Sequence, residues 1–339
     1  MIESAIWNNL QANGYTNLIG FPESSPNLLD AIEVKNFFTK EKPEYVILAT
    51  TTIGEFHTDE IARADIIYQN LQIQNAIISE CFLNKVKKLL LMGDMSIYPK
   101  EIILPIKEVD ILTSPLEYKN EPYAIAKIAA IKMCENFNLQ YGTNYLVATP
   151  AHIYGPNDNF DLLKCHVIPA LIRKMHLAKC VLENNWSTLQ KDIEIRSIDN
   201  VSGTSTLDEL ISVLNNFGIY SHHIELMGSG KPMREFLWSG DFANACIFML
   251  NNVDFNNSCH YNIGTGKEIS IKKLAELVAN VVGYNGRVRF STIKSFERIN
   301  RLMDVSKINS LGWKYSTELE EGIFLLYQWY LKDQDRVNE

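Results

Sequence analysis

Tyr123 and Lys127 stand four residues apart in Asn120-Glu121-Pro122-Tyr123-Ala124-Ile125-Ala126-Lys127. Pro122 suits the first turn of a helix, where no amide donor is needed. Four residues are then one helical turn, and both side chains leave the same face. A lysine cation beside a phenol lowers its pKa from about 10, which makes the tyrosine a usable proton donor at neutral pH. The same spacing also suits a surface Tyr/Lys pair on an ordinary helix, and by itself it does not separate the two readings.

Three further blocks carry chemically capable side chains. Gly93-Asp94-Met95-Ser96-Ile97-Tyr98-Pro99-Lys100 lies upstream. His166-Val167-Ile168-Pro169-Ala170-Leu171-Ile172-Arg173 and Gly228-Ser229-Gly230-Lys231-Pro232-Met233-Arg234-Glu235-Phe236-Leu237 lie downstream. His166 is either an acid–base group or a helix-start histidine satisfied by backbone. Lys174 and Arg234 are cations whose plain reading is surface solvation. Taken together and in this order, the blocks resemble the GDP-L-fucose synthases of the extended short-chain dehydrogenase/reductase superfamily. The likeness runs almost end to end.

That resemblance implies an α/β fold, a Rossmann-like doubly wound parallel sheet, with a smaller α+β substrate domain. It implies NADP(H) as cofactor and a GDP-sugar nucleotide as ligand. The reaction would be epimerisation and reduction of GDP-4-keto-6-deoxy-mannose. Tyr123 would donate the proton, Lys127 would tune it, and His166 would assist, with Asp94 and Ser96 at the remaining catalytic positions. Cofactor contacts would come from Lys127, Ala151, His152 and His166, and substrate contacts from Lys174, Met227 and Arg234. The family also implies a homodimer built on the helices Ala62–Leu83 and Ile125–Phe137, or a pairing with a related enzyme.

The chain departs from that pattern at several of these positions. Asp94 replaces the superfamily's serine, and an ionised carboxylate there raises the Tyr123 pKa, whereas a protonated one still donates. Ser96 replaces the cysteine of the epimerising acid–base pair, and a hydroxyl lacks the thiol's accessible pKa of about 8.5. Ala151 and His152 replace a threonine and an asparagine, and Met227 replaces a tryptophan. Phe21-Pro22 stands where an arginine suited to a 2′-phosphate is expected. Ala49-Thr50-Thr51-Thr52-Ile53-Gly54-Glu55 replaces a Gly-containing loop, and Lys294-Ser295-Phe296-Glu297 loses an aspartate. Met1-Ile2-Glu3-Ser4-Ala5-Ile6 matches the stretch after the second glycine of the dinucleotide fingerprint, so the sheet is expected to lack its first strand. Glu3 occupies the third glycine's place. A carboxylate about 4 Å from a phosphate costs about 4 kcal/mol at an effective dielectric of 20; an acidic first turn also suits the helix dipole. These departures set a second reading beside the first: a paralogue that binds a sugar nucleotide or a partner without turnover.

The elements that must position these residues follow from periodicity. Helices are expected over Ser4–Leu10, with Asn13-Gly14 as a stop, Leu28–Lys40 and Ala62–Leu83. Short strands are expected over Tyr15–Gly20, Tyr45–Ala49, Lys88–Met92 and Tyr145–Thr149. This alternation reads as βαβ units of a parallel sheet. The domains divide as 1–162, nucleotide-binding, and 163–339, mainly substrate-binding. Val181–His223 reads as a surface insertion around one amphipathic helix, Leu207–Phe217. The helices Leu274–Val282 and Leu319–Tyr330 complete the chain.

A net charge of −8 over 339 residues argues against nonspecific nucleic-acid binding. No apolar run approaches the length of a membrane helix, and no signal-peptide pattern is present. The six cysteines, Cys81, Cys134, Cys165, Cys180, Cys246 and Cys259, are scattered. That pattern fits reduced cytoplasmic thiols, with no disulfide framework and no metal site expected.

Overall fold

The computed structural model describes residues 1–20, 24–49, 62–199, 201–291 and 300–333. In chain order the first elements are α1 (Ile2–Ala12), α2 (Ala31–Glu41), β1 (Tyr45–Leu48), α3 (Arg63–Leu83), β2 (Lys88–Met92) and α4 (Glu121–Tyr141). There follow β3 (Tyr145–Pro150), β4 (His152–Tyr154), α5 (Val167–Leu182), α6 (Trp186–Ile195), α7 (Leu207–Asn216), β5 (His223–Met227) and β6 (Met233–Arg234). The last are β7 (Phe236–Trp238), α8 (Ser239–Asn252), β8 (His260–Ile263), β9 (Ile269–Ser270), α9 (Ile271–Val282), β10 (Arg287–Ser291), α10 (Ser306–Ser310) and α11 (Leu319–Asp333). They form two compact units that interleave in sequence. Unit 1 is Met1–Ile153, Glu235–Lys267 and Arg301–Ser316; unit 2 is Tyr154–Arg234, Glu268–Asn300 and Thr317–Glu339.

Unit 1 is built on a four-stranded parallel sheet in the order β1-β2-β3-β8. Every residue of β2 and β3 is buried, which explains why both read as continuous apolar runs rather than alternating ones. Side chains still alternate between the faces with period two. Leu90, Met92, Leu146 and Ala148 pack with Ile6 of α1 and with Phe242, Ala245 and Met249 of α8. Leu89, Leu91 and Val147 pack on the other face with Val34 and Phe38 of α2, Ile73 and Ile77 of α3, and Ile128 and Ile131 of α4. Helices on both faces make the sheet doubly wound, as the alternation of elements predicts. Lys88, although within β2, satisfies its ammonium on the carbonyls of Leu250 at 2.7 Å and Val253 at 2.8 Å.

One expected strand does not form. Tyr15–Gly20 joins no ladder. Gly14 ends α1 at φ +83°, and the Tyr15 amide turns back to the Leu10 carbonyl at 3.1 Å. In the doubly wound order the second strand lies between the first and the third. Among the described residues the sheet stops at β1, and this segment has no neighbour to pair with.

Unit 2 centres on α5, packed against α6 and α9, with α11 on α9. Two small sheets accompany it, β5 parallel to β10 and β6 antiparallel to β9. The insertion contains two helices rather than the single one expected. α7 is the amphipathic helix, closed by a capping box in which Thr206 and Glu209 hold each other's amides. α6 has only a weak amphipathic signature in the sequence, because only Leu189 and Ile193 form its apolar stripe, with Asp192 buried beside them as a counter-ion. Among the described residues no helix is long and apolar enough to cross a membrane.

Candidate active site

The Tyr123–Lys127 pair is where the sequence places it. α4 carries Pro122 in its first turn and ends at Gly142, whose left-handed backbone (φ +67°) stops the helix. The Lys127 ammonium lies 5.6 Å from the centre of the Tyr123 ring and donates to the Met92 carbonyl at 2.7 Å, at the C-terminal end of β2. Lys127 is only 3% exposed. Burial pulls its pKa down to about 8, and the nearby Asp94 carboxylate opposes that shift more weakly. Tyr123, in contrast, is half-buried.

Asp94 and Ser96 follow β2 directly. The Asp94 carboxylate caps the short 3-10 turn Met95–Ile97, with Oδ1 accepting the Ser96 amide at 2.8 Å. The Ser96 hydroxyl is buried and has no hydrogen-bond partner among the described residues. It is therefore a hydroxyl without a base. Gly93 is required where it stands, because a Cβ there would meet Thr149 Oγ1 at 2.0 Å. Thr149 Oγ1 lies 2.7 Å from His260 Nε2, and burial drives that histidine's pKa down to about 3, so the imidazole is neutral.

Ala151 and His152 sit at the far end of β3 and the start of β4. The Ala151 amide donates to Ile263 at 2.9 Å, and the methyl side chain offers nothing polar. The His152 amide donates to the Glu235 carbonyl at 3.3 Å, and its Nδ1 lies 3.2 Å from the same oxygen. Glu235 is a residue that sequence reasoning missed. It is fully buried, and its carboxylate accepts the amides of Thr265 at 2.7 Å, Gly266 at 2.8 Å and Met303 at 2.9 Å. A signal for it exists in Gly264-Thr265-Gly266, because a Cβ at Gly264 would meet Glu235 Oε1 at 2.3 Å. Glu3 lies in the first turn of α1.

Unit 2 holds the other candidates. His166 is the N-cap of α5, is exposed, and makes no side-chain capping bond. Lys174, one turn further along than Ala170, donates to the Phe217 carbonyl at the C-terminal end of α7 at 2.7 Å. Its neighbour Arg173 is fully buried. Arg234 lies in β6 and donates to the Met233 carbonyl at 2.6 Å, and Met227 is exposed at the end of β5. The structure thus brings Tyr123, Lys127, Asp94 and Ser96 together within unit 1 and places His166, Lys174, Met227 and Arg234 in unit 2. Phe21-Pro22, Thr50–Glu55 and Lys294–Glu297 lie outside the described residues. Among the described residues no group of three or more His, Cys, Asp or Glu is arranged to hold a metal ion.

The chain is similar to known proteins over nearly its whole length. Residues 1–195 and 198–264 match the NAD dependent epimerase/dehydratase family. The chain is 40% identical over 333 residues to the putative GDP-L-fucose synthase 2 of Arabidopsis thaliana, covering 98% of this chain and 89% of that protein. It is 38% identical over 343 residues to the GDP-L-fucose synthase of Escherichia coli K12, covering 99% and 95% respectively. Among solved structures, GDP-mannoheptose C4 reductase from Campylobacter jejuni with NADP bound superposes with a TM-score of 0.88 at 40% identity, covering 97% of this chain and 95% of that one.

Proposed function

The chain belongs to the NAD dependent epimerase/dehydratase family, and from that premise we propose that it is a GDP-sugar oxidoreductase. It binds a GDP-linked keto-sugar and reduces the carbonyl with NADP(H), without inverting the neighbouring carbons. The observation that carries this reading is the contrast between Tyr123 and Ser96. Tyr123 has a buried ammonium beside its ring and is itself half-buried. Ser96 has a buried hydroxyl and no base. Epimerisation needs an acid and a base matched to carbon-bound protons, and an unassisted serine supplies neither.

Tyr123 gives its phenolic proton to the carbonyl oxygen as the carbon is reduced, and Lys127 stabilises the phenolate that remains. NADPH, when bound, supplies the hydride. The residues present suit that cofactor at one end: Lys127 is a buried cation beside the reacting tyrosine and would meet it there. They suit it less at positions 151 and 152, where Ala151 is apolar and the His152 amide and Nδ1 are both engaged by Glu235. Arg234 is the cation proposed to hold the substrate diphosphate, because a guanidinium suits a bidentate phosphate contact. His166 is the acid–base group of unit 2.

The purified full chain, given NADPH and a GDP-4-keto-sugar, tests this. Consumption of NADPH is expected, with the substrate's configuration kept at the carbons flanking the carbonyl. Tyr123→Phe should slow the reaction by about 10²- to 10⁴-fold. An inverted product would overturn the no-epimerisation reading. A folded sample that binds no NADPH at millimolar concentration would favour the second reading, a sugar-nucleotide-binding or partner subunit without turnover. Asp94, Ala151 and His152 are the residues that support that second reading.

A homodimer through α3 and α4 belongs to the same proposal. Their outer faces expose Tyr68, Ile125 and Leu139. Light scattering should return twice the 38.7 kDa chain mass; a monomer mass removes that interface from the account.

A further inference from the structure

Two backbone carbonyls, one on either side of Asp94, each hold a basic side chain. The Met92 carbonyl, at the end of β2, accepts the Lys127 ammonium at 2.7 Å. The Met95 carbonyl, in the 3-10 turn Met95–Ile97, accepts Arg301 Nη1 at 2.6 Å. Lys127 already has a role in the candidate site; Arg301 has none. The Met95 carbonyl also closes the turn, by accepting the Tyr98 amide at 3.2 Å. Both acceptor directions of that oxygen are therefore in use, one within the turn and one by a residue 206 positions further along the chain.

The backbone that carries Arg301 is itself pinned. The Ile106 amide donates to the Leu302 carbonyl at 2.8 Å, the Met303 amide to Glu235 Oε2 at 2.9 Å, and the Asp304 amide to the Ile106 carbonyl at 2.8 Å. The turn meets the same segment a second time. Tyr98, which ends the turn, donates its hydroxyl to Asn262 Oδ1. Asn262 Nδ2 then donates to the Ile106 carbonyl at 3.0 Å and the Asp304 carbonyl at 3.3 Å. All of these residues belong to unit 1. A single 3-10 turn has poorer hydrogen-bond geometry than an α-helix and holds its own shape weakly. Here it is fastened at both ends to one segment, Arg301–Asp304.

We infer that Arg301 is a positioning residue: its guanidinium, on the Met95 carbonyl, sets where Asp94 and Ser96 stand relative to Tyr123 and Lys127. A guanidinium suits this task because it stays charged, and a charge-assisted hydrogen bond is shorter and stronger than a neutral one. Asp94 Oδ1 fixes the turn from within, through the Ser96 amide at 2.8 Å, and Arg301 fixes it from outside. Arg301 acts on the reaction through the turn rather than by holding the substrate. A misplacement of about 1 Å beside the reacting atoms costs about 10²-fold in rate, so one hydrogen bond at this point is enough to matter.

This rests on the reading of Tyr123 and its neighbours as the reductive site, and two measurements on the full chain keep the two claims apart. Amide hydrogen exchange reads the turn without turnover. In Arg301→Met the amides of Ser96, Ile97 and Tyr98 should exchange faster than in wild type, while those of α4 keep their protection. Unchanged exchange in a folded variant overturns the inference. Steady-state kinetics with NADPH and a GDP-4-keto-sugar read the consequence: kcat should fall by about 10²-fold with the sugar-nucleotide KM unchanged. A raised KM with kcat intact would make Arg301 a substrate contact and overturn the inference as well. Faster exchange in a protein whose wild type turns over no substrate would uphold the fastening of the turn and remove only the oxidoreductase reading. Should Arg301→Met not fold, nitrogen-15 NMR of the wild-type chain decides. Nη protons held on a carbonyl exchange with water more slowly than those of the exposed Arg287, and equal exchange would overturn the inference.

Discussion

Among the buried cations of the described residues, Arg173 and Lys127 are buried in opposite ways. In unit 2, each guanidinium nitrogen of Arg173 has an acceptor: Nε donates to Asp192 at 3.0 Å, Nη1 to the Phe160 carbonyl at 3.0 Å, and Nη2 to the Arg196 carbonyl. Asp192 in turn accepts from Tyr330, whose ring lies under the Arg196 guanidinium at 4.6 Å. In unit 1, Lys127 is equally hidden from water, yet it meets a neutral carbonyl at 2.7 Å, and burial lowers its pKa to about 8. The first arrangement is compensated, as a buried ion must be if it is to hold a fold together. The second is undercompensated. That is the condition in which a lysine can tune a neighbouring acid, and it costs stability.

The comparison is broken most severely at Asp192. Asp192→Asn leaves Arg173 as a charged, fully buried group without its counter-ion. Loss of one partner from such a pair costs about 3–5 kcal/mol. The full chain should show this as a large drop in denaturant midpoint, with α5, α6 and α11 losing amide-exchange protection first. A shift below about 1 kcal/mol would mean that the ion pair does not anchor the insertion.

These two cations also show what can be read from a sequence and what cannot. Lys127 is legible because its partner Tyr123 lies one helical turn away and Pro122 fixes the start of the helix. β2 and β3 are legible because burial on both faces leaves an unbroken apolar run. The Arg173 pairing is not, because Asp192 belongs to a polar helix 19 residues on, whose charge looks like surface until the fold hides it. Lys174 is similar: its partner is a carbonyl 43 residues away, and carbonyls have no sequence signature. Glu235 gathers amides from 30 to 68 residues away, again backbone groups. Tyr15–Gly20 fails for a different reason. Strand propensity is realised only when a neighbouring strand exists to pair with.

The smaller and more informative test is Lys127→Met, which removes the undercompensated charge while keeping much of the side-chain volume. The lysine's pKa is about 8 in the folded chain against 10.5 in its absence. Below pH 8 both states hold the proton, and the folded state bears the whole burial penalty. Between pH 8 and 10.5 the unfolded state alone holds it, so wild-type stability rises with pH. Above that window both are neutral and the penalty is gone. The full penalty is about 3 kcal/mol at 1.36 kcal/mol per pH unit. Leaving the Met92 carbonyl without its donor returns about 1 kcal/mol of that. The variant should therefore be about 2 kcal/mol more stable than wild type at neutral pH. That advantage should shrink as pH climbs towards 10.5 and reverse once only the lost hydrogen bond remains. Denaturant midpoints of the two chains across pH 7–11 measure the gap directly. A variant less stable than wild type at pH 7, or a gap independent of pH, would show Lys127 to be as well compensated as Arg173. The contrast between a structural cation and a chemical one would then be lost.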